Sequence, residues 1–372
     1  MRKKGMFIVL ILVIIALVSA CGTGGSKEAG SEPSQAAPGT NAAQPSNTPS
    51  SEPQKEIELT FSEPARILSL APFYVAIEKG FFKEEGIKAN ITSGGGGAQV
   101  IATVLSGDAQ FAVSGPRSMF SAIEAGNPMM AVQSLNSALT YEVAVSNKFL
   151  EEKNISKDAP LADRLAALNG STMSTDVVGD SGDVYLRYLM KLHNQDYQSM
   201  QMVKLSGRGA KIAGMKQGIV DGGINSPPFA SQARNEGVGD LLLKVSEEPM
   251  YANMVWEVVF GKKEYIENNP DITKKVVKAI GKGIEFTRNN PKEAAEAIVS
   301  YFDGMDVSIV EESLIGMKET FQGYGEMNAE SWDNSQIPLI EFGELSGVTQ
   351  RHDPSEGVFW TNKYIQEVFG TK

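Results

Sequence analysis

From Ile57 onward, short apolar runs alternate with stretches whose apolar residues recur at helical spacing. The first pattern predicts strands and the second helices, and their alternation predicts an α/β sheet protein. The expected strands are Ile57–Phe61 with Arg66–Leu70, Ile87–Thr92, Ala109–Ser114, Met129–Leu135 and Tyr141–Ser146. Between them fall helices over Pro72–Glu85, Gln99–Leu105 and Arg117–Glu124. The rhythm then repeats as strand Ser171–Thr175, helix Gly182–Leu192, strand Met200–Lys204, helix Ala210–Gln217, strand Gly222–Asn225, helix Pro228–Asn235 and strand Asp240–Val245. An extended run covers Asn253–Phe260, and helices follow over Asp271–Arg288, Pro291–Phe302, Val307–Phe321 and Asn328–Glu344. Pro270 and Pro291 stand at or near helix starts, where a missing N–H costs nothing. This order predicts two lobes. The chain leaves the first near residues 143–147, builds the second and returns near 247–254, so that residues 57–143 and 254–372 form lobe 1 and 144–253 form lobe 2.

The N-terminal stretch breaks this pattern. Arg2, Lys3 and Lys4 precede an apolar run from Met6 to Leu17, and small residues lead to Cys21, the one cysteine of the chain. A basic start, an apolar centre and small residues at the end mark an export signal. The apolar run falls short of the about 20 residues that cross a bilayer. The stretch Leu17-Val18-Ser19-Ala20-Cys21 resembles the lipobox of bacterial lipoproteins. That resemblance implies a signal peptide over residues 1–20, cleavage before Cys21, a diacylglycerol on its sulfur and a body held at the extracytoplasmic face of the membrane. From Gly22 to Glu56 the chain is rich in Gly, Ser, Pro, Ala, Asn, Gln and Thr, with no apolar period. Such a segment cannot bury enough surface to offset ordering. Residues 21–56 are therefore expected to be a tether with a root-mean-square reach of ~30 Å.

Composition narrows the chemistry. The chain has 372 residues, 42% of them hydrophobic and 21% charged, enough for about two well-packed domains. One cysteine allows no internal disulfide and no cysteine-based zinc site. His193 and His352 lie far apart with no ligand spacing around them, so no metal is expected. The net charge is -11, and processing would take it to -14. So acidic an exported body argues against nucleic acid as a partner. There is no GxSxG elbow and no HExxH, and no carboxylate pair stands out by spacing, so neither catalysis nor a cofactor is expected.

Four segments share one grammar: a strand, then small or hydroxylated residues, then a helix N-terminus. They are Ser69-Leu70-Ala71-Pro72, the run Ser93 to Ala98 with Gly95 and Gly96 at its centre, Ser114-Gly115-Pro116-Arg117, and Thr175 to Gly182 with Gly179 and Ser181. In open α/β sheets, ligands bind beyond the carboxyl ends of strands, where helix N-termini offer free N–H groups. Convergence of these turns would suit an anionic or strongly polar group. The glycine run lacks the Lys-Ser/Thr ending of a P-loop, which excludes a nucleoside triphosphate. Arg117 could clamp a sulfonate or carboxylate, or stand in solvent. Asp176, Asp180 and Asp183 could favour a helix dipole or hold an ammonium group. Phe73, Tyr74, Tyr185, Phe229 and Trp256 could flank a ring, or fill the core.

Longer stretches point to a family. Ala71 to Ile91 (APFYVAIEKGFFKEEGIKANI) resembles the opening of solute-binding proteins for nitrate, sulfonate and taurine ABC importers. Their superfamily also includes binders of thiamine pyrimidine precursors. Gly94 to Pro116, Val220 to Gly237 and Phe260 to Ile298 continue the likeness in family order. The resemblance implies a type II periplasmic-binding-protein fold with ligand in the cleft between its lobes. It also implies a monomeric receptor, an ABC permease with its ATPase as partner, and no catalysis. It carries the site onto the four turns above and adds Asn225-Ser226-Pro227. The ligand expected from it is a small organic anion, alkanesulfonate or taurine ahead of nitrate, with a thiamine pyrimidine precursor as the alternative. A sensory subunit is the rival outside transport. Two departures bear on the ligand: Asn225-Ser226-Pro227-Pro228 replaces a more usual W-x-P or x-E-P, and Arg117 follows Pro116 where relatives carry a small or apolar residue.

Overall fold

The computed structural model describes residues 56–302 and 304–370. The signal, Cys21 and the tether up to residue 55 lie outside the described residues. Among the described residues, ten strands form two five-stranded sheets. The first contains β1 (Ile57–Glu63), β2 (Ile87–Ser93), β3 (Phe111–Ser114), β4 (Met129–Asn136) and β10 (Trp256–Lys262), in the order β2-β1-β3-β10-β4. The second contains β5 (Glu142–Ser146), β6 (Thr172–Thr175), β7 (Gln201–Lys204), β8 (Gly222–Asn225) and β9 (Gly239–Lys244), in the order β7-β6-β8-β5-β9. Helices cover both sheets, and the architecture is the two-lobed α/β fold of type II periplasmic binding proteins. β10 runs antiparallel to β3 and β4, and β5 antiparallel to β8 and β9. These two strands are the ones that bring the chain into a sheet from the other lobe.

The chain passes from the first sheet to the second between Asn136 and Glu142, and returns between Lys244 and Trp256. The first crossing falls a few residues before the expected 143–147, because Glu142 and Val143 already pair with Asn225 and Ile224 of β8. Arg66–Leu70 is not a strand. Pro64 follows β1, and Leu68–Leu70 winds into a buried 3₁₀ turn that leads into helix Ala71–Glu78. The helix expected over Gln99–Leu105 begins earlier, at Gly96, because Gly94 and Gly95 take positive φ and let the chain turn sharply after β2. Helices Asn147–Lys153 and Leu161–Ala167 were not anticipated.

The C-terminal helices tie the lobes together. Helix Ala329–Glu341 sets Trp332 against Phe120 of lobe 1, with ring centroids 5.8 Å apart, and its Ser335 carbonyl accepts from the Tyr185 hydroxyl of lobe 2 at 2.9 Å. One apolar cluster accordingly runs through Phe120, Val258 and Trp332 to Val143, Tyr185 and Leu243. A second lies within lobe 1, where the long helix Pro270–Asn289 packs on helix Ala71–Glu78. They approach closely at Gly283, where a Cβ would stand 2.2 Å from the Pro72 carbonyl oxygen. Replacing Gly283 with Ala should force these helices apart and lower stability by about 1–3 kcal/mol. Urea unfolding should show a reduced midpoint with an unchanged slope.

Candidate functional site

The return crossing ends in Trp256 and Glu257, and these two side chains organise the space between the lobes. The Trp256 ring lies against the Gly115 backbone of lobe 1, where an added Cβ would come within 3.2 Å of it. On its other sides are Tyr141, with centroids 5.2 Å apart, and Tyr185 of lobe 2, at 5.8 Å. Both tyrosines meet the indole edge to face, an arrangement that aromatic quadrupoles favour. The Trp256 indole N–H is buried and has no hydrogen-bond partner among the described residues. Buried donors are nearly always partnered, and among the described residues the Trp332 indole N–H shares this exception.

Glu257 is held in a left-handed backbone conformation, φ 52°. For a residue with a Cβ this costs of order 1–3 kcal/mol and persists where the surroundings enforce it. Here they do, since the Trp256 carbonyl accepts from Ser134 Oγ at 3.3 Å and β10 is paired on both sides. The Glu257 side chain is 2% exposed. Its Oε1 accepts from Ser69 Oγ at 3.3 Å, while its Oε2 has no partner. Asn136 fixes Ser69 in turn, donating from Nδ2 to the Ser69 carbonyl at 2.8 Å. Burial pushes the Glu257 carboxyl up to about 8, the Ser69 hydroxyl opposes that shift, and the nearby Glu63 carboxyl adds to it. Glu257 therefore carries a proton at neutral pH, giving one O–H donor and spare acceptor capacity.

Lobe 2 presents two more carboxylates. Asp176 accepts from Lys211 Nζ at 2.8 Å, from the Gly207 N–H at 2.6 Å and from Asn225 Nδ2 at 3.4 Å. Asp180 caps helix Ser181–Leu192, accepting from the Asp183 N–H at 3.0 Å, the Val177 N–H at 3.0 Å and Thr175 Oγ1 at 2.6 Å. The Tyr141 hydroxyl is raised well above its ordinary value by burial first, then by Asp180, Glu257 and Asp176. Carboxyl groups from both lobes thus act on one phenol.

The residues expected from sequence fall in several different surroundings. Ser114, Gly115, Thr175 and Asn225 lie at the ends of β3, β6 and β8, with Ser114 Oγ within 3.2 Å of Ser118 Oγ, while Ser69 sits in the buried 3₁₀ turn and reaches Glu257. Leu70 and Ala71 are fully buried in the lobe 1 core, and Gly95 and Gly96 are exposed at the end of edge strand β2. Arg117 donates from Nε to the Ser346 carbonyl at 2.7 Å, and a Cβ on Gly179 would lie 2.7 Å from the Leu345 carbonyl. Those two positions are thus taken up by the C-terminal segment. Ser181 is the half-buried first residue of its helix, and Pro227 lines a different cavity. Among the aromatic candidates, Trp256 and Tyr185 pack edge to face on each other. Phe73 and Phe229 are core, and the Tyr74 hydroxyl donates to Glu63 at 2.8 Å. Asp183 is wholly buried and accepts from Arg187 Nε at 2.6 Å, which gives it a structural role. Tyr141 and Glu257 were missed. No sequence signal marks Glu257, whereas Tyr141 is the one aromatic in the sequence of the first crossing, residues 136–142.

The Glu257 shift makes stability depend on pH. With a folded value near 8 against an ordinary 4.5, the folded state keeps a proton that the unfolded chain releases. Stability is then lost as pH rises from about 4.5 to 8 and levels off above that. Glu257→Gln cannot ionise. Its stability relative to the parent should rise across this window by up to about 4 kcal/mol. Parallel profiles in chemical denaturation at pH 5, 7 and 9 would show that Glu257 titrates normally.

Residues 68–294 match the family described as NMT1/THI5 like. YtlA of Bacillus subtilis (strain 168) is 24% identical over 287 residues, which are 74% of this chain and 80% of that protein. The ligand-binding component of an ABC-type import system from Staphylococcus aureus, solved with zinc bound, superposes with a TM-score of 0.65 at 12% identity, covering 84% of this chain and 99% of that one. The periplasmic aliphatic sulphonate binding protein SsuA of Escherichia coli gives 0.63 at 16% identity, covering 80% and 90%. The matched residues run from the turn carrying Ser69, through both lobes and both crossings, to the helix that follows helix Pro270–Asn289, so the chain belongs to the NMT1/THI5-like family.

Proposed function

We propose that the protein is the lipid-anchored, extracytoplasmic receptor of an ABC importer. It captures one small solute between its lobes and presents the closed form to a permease and its ATPase, and no bond is made or broken. A ligand that touches both lobes only in the closed form shifts the population toward it. The observation that carries this reading is the pair of unpartnered polar atoms, Trp256 Nε1 and Glu257 Oε2, on consecutive residues where the Tyr141 and Tyr185 rings pack on the indole; the space they face is the hollow proposed here for the solute.

The chemistry of that hollow favours a flat nitrogen heterocycle bearing an amino group, as in a thiamine pyrimidine precursor, over an organic anion. Tyr141 and Trp256 suit a ring. Glu257 Oε2, Asp176 and Asp180 can accept from amino N–H groups, and the two aspartates would repel a sulfonate. Protonated Glu257 can also donate to a ring nitrogen. An alkanesulfonate, taurine or nitrate ligand is the second reading, favoured by Arg208 and the buried Lys211 beside Asp176. A subunit that reports occupancy to a membrane kinase would use the same hollow.

A thermal-shift series distinguishes these ligands, because a solute that binds only the native state raises the melting temperature. The aminopyrimidine should raise it, while ethanesulfonate, taurine and nitrate leave it unchanged. Trp256→Phe and Glu257→Gln should each weaken pyrimidine binding at least tenfold, and Arg117→Ala should leave it unchanged. Stabilisation by a sulfonate that disappears in Lys211→Met would instead establish the second reading.

A further inference from the structure

Side chains alternate across an extended strand, and the first crossing makes use of that. Tyr141 turns toward Trp256, while its neighbours Thr140 and Glu142 line a separate cavity of about 320 Å³ on the other side of the strand. The far wall of this cavity is helix Val307–Met317, which packs on helix Pro291–Ile298 of lobe 1. Three polar side chains at its buried end are more than nine-tenths covered: Thr140 at 6% exposed, Ser313 at 7% and Glu142 at 8%. Neither Thr140 Oγ1 nor Ser313 Oγ has a hydrogen-bond partner among the described residues. The Glu142 carboxylate accepts from the Ala230 N–H at 3.0 Å through Oε2 alone. None of these groups belongs to the Trp256 hollow.

The outer lining has the opposite charge. Lys157 and Arg234 are exposed and Lys244 is half-buried. Arg234 is committed to Asp240 and Glu312, at 3.0 and 3.2 Å. Lys244 Nζ makes one bond, to the Gly316 carbonyl at 3.2 Å, and an ammonium has three donors. An acid with two spare hydroxyl oxygens inside, and ammonium groups outside, complement a molecule with a cationic and an anionic end. Burial also raises the Glu142 carboxyl above its ordinary value, with the Ala230 N–H and Lys244 opposing, so a positive group beside it would relieve an existing cost.

We propose that this cavity is a second small-molecule site, taking an amino-acid-sized zwitterion with its ammonium at Glu142, Thr140 and Ser313 and its acid at Lys244 and Lys157. Because its walls come from lobe 2 and from a helix seated on lobe 1, an occupant would bridge the lobes independently of the transported solute.

The test uses γ-aminobutyrate as the zwitterion and butylamine and butyrate as its two halves. The readout is the methyl resonance of Met317, which lines the cavity. γ-Aminobutyrate should shift that resonance saturably, with each half at least tenfold weaker. The shift should be lost in Glu142→Gln, which keeps an acceptor for Ala230, and in Ser313→Leu, which fills the cavity from the helix side. It should persist in Trp256→Phe. No saturable shift, butylamine binding as tightly as the zwitterion, or a shift that survives both cavity substitutions would overturn the proposal. So would loss of the shift in Trp256→Phe, which would assign the binding to the hollow whether or not that hollow takes a pyrimidine.

Discussion

Trp256 is gripped by parts of the chain that are distant in sequence: the Gly115 backbone, the Tyr141 ring of the first crossing and the Tyr185 ring of the second lobe. Any of the three could move only by opening space beside a large, wholly buried ring, and close-packed interiors resist that strongly. The grip fixes where the second crossing rejoins the first sheet. It also leaves Glu257, the next residue, with a left-handed backbone and a carboxyl facing inward. The aromatic surface and the buried acid of the hollow are thus one structural event.

The charge pattern follows from this placement. Lobe 1 supplies a carboxyl that stays protonated because water is excluded from it. Lobe 2 supplies Asp176 and Asp180, which stay hydrogen-bonded through Lys211, Asn225, Thr175 and backbone N–H groups. Glu257 can donate, while the two aspartates can only accept, so the hollow offers both kinds of hydrogen bond. The C-terminal segment braces the arrangement from outside. It engages Arg117 of one lobe through Ser346 and approaches Gly179 of the other through Leu345.

Much of the fold was legible in the sequence because its signals are local. Gly and Ser after apolar runs mark strand ends, and Pro270 and Pro291 mark helix starts that the structure contains. The candidate turns were legible in part for the same reason: Ser114, Gly115 and Thr175 follow from strand ends alone, whereas Asn225 came from the family resemblance and Ser69 from an expected strand that is a 3₁₀ turn. What escaped depends on contacts between distant residues. Arg117 meets a carbonyl 229 positions away, so its engagement could not be inferred from its neighbours. Glu257 sits within an apolar run, Val255 to Phe260, and nothing there says that a glutamate will adopt positive φ and turn inward. Arg66–Leu70 had strand composition, but Pro64 ended the strand and burial of Leu68 and Leu70 wound the segment into a turn.

The central claim is that a solute occupies the space beside Trp256. The chain has three tryptophans, and the other two are engaged elsewhere: Trp332 packs on Phe120 and Phe359, and Trp360 donates to the Pro354 carbonyl at 2.8 Å. Fluorine NMR of protein labelled with 5-fluorotryptophan resolves the three sites at once. Saturation with the aminopyrimidine should move the Trp256 resonance and leave the other two in place. A spectrum in which Trp256 stays fixed at saturating ligand, or in which Trp332 or Trp360 moves instead, would contradict the account.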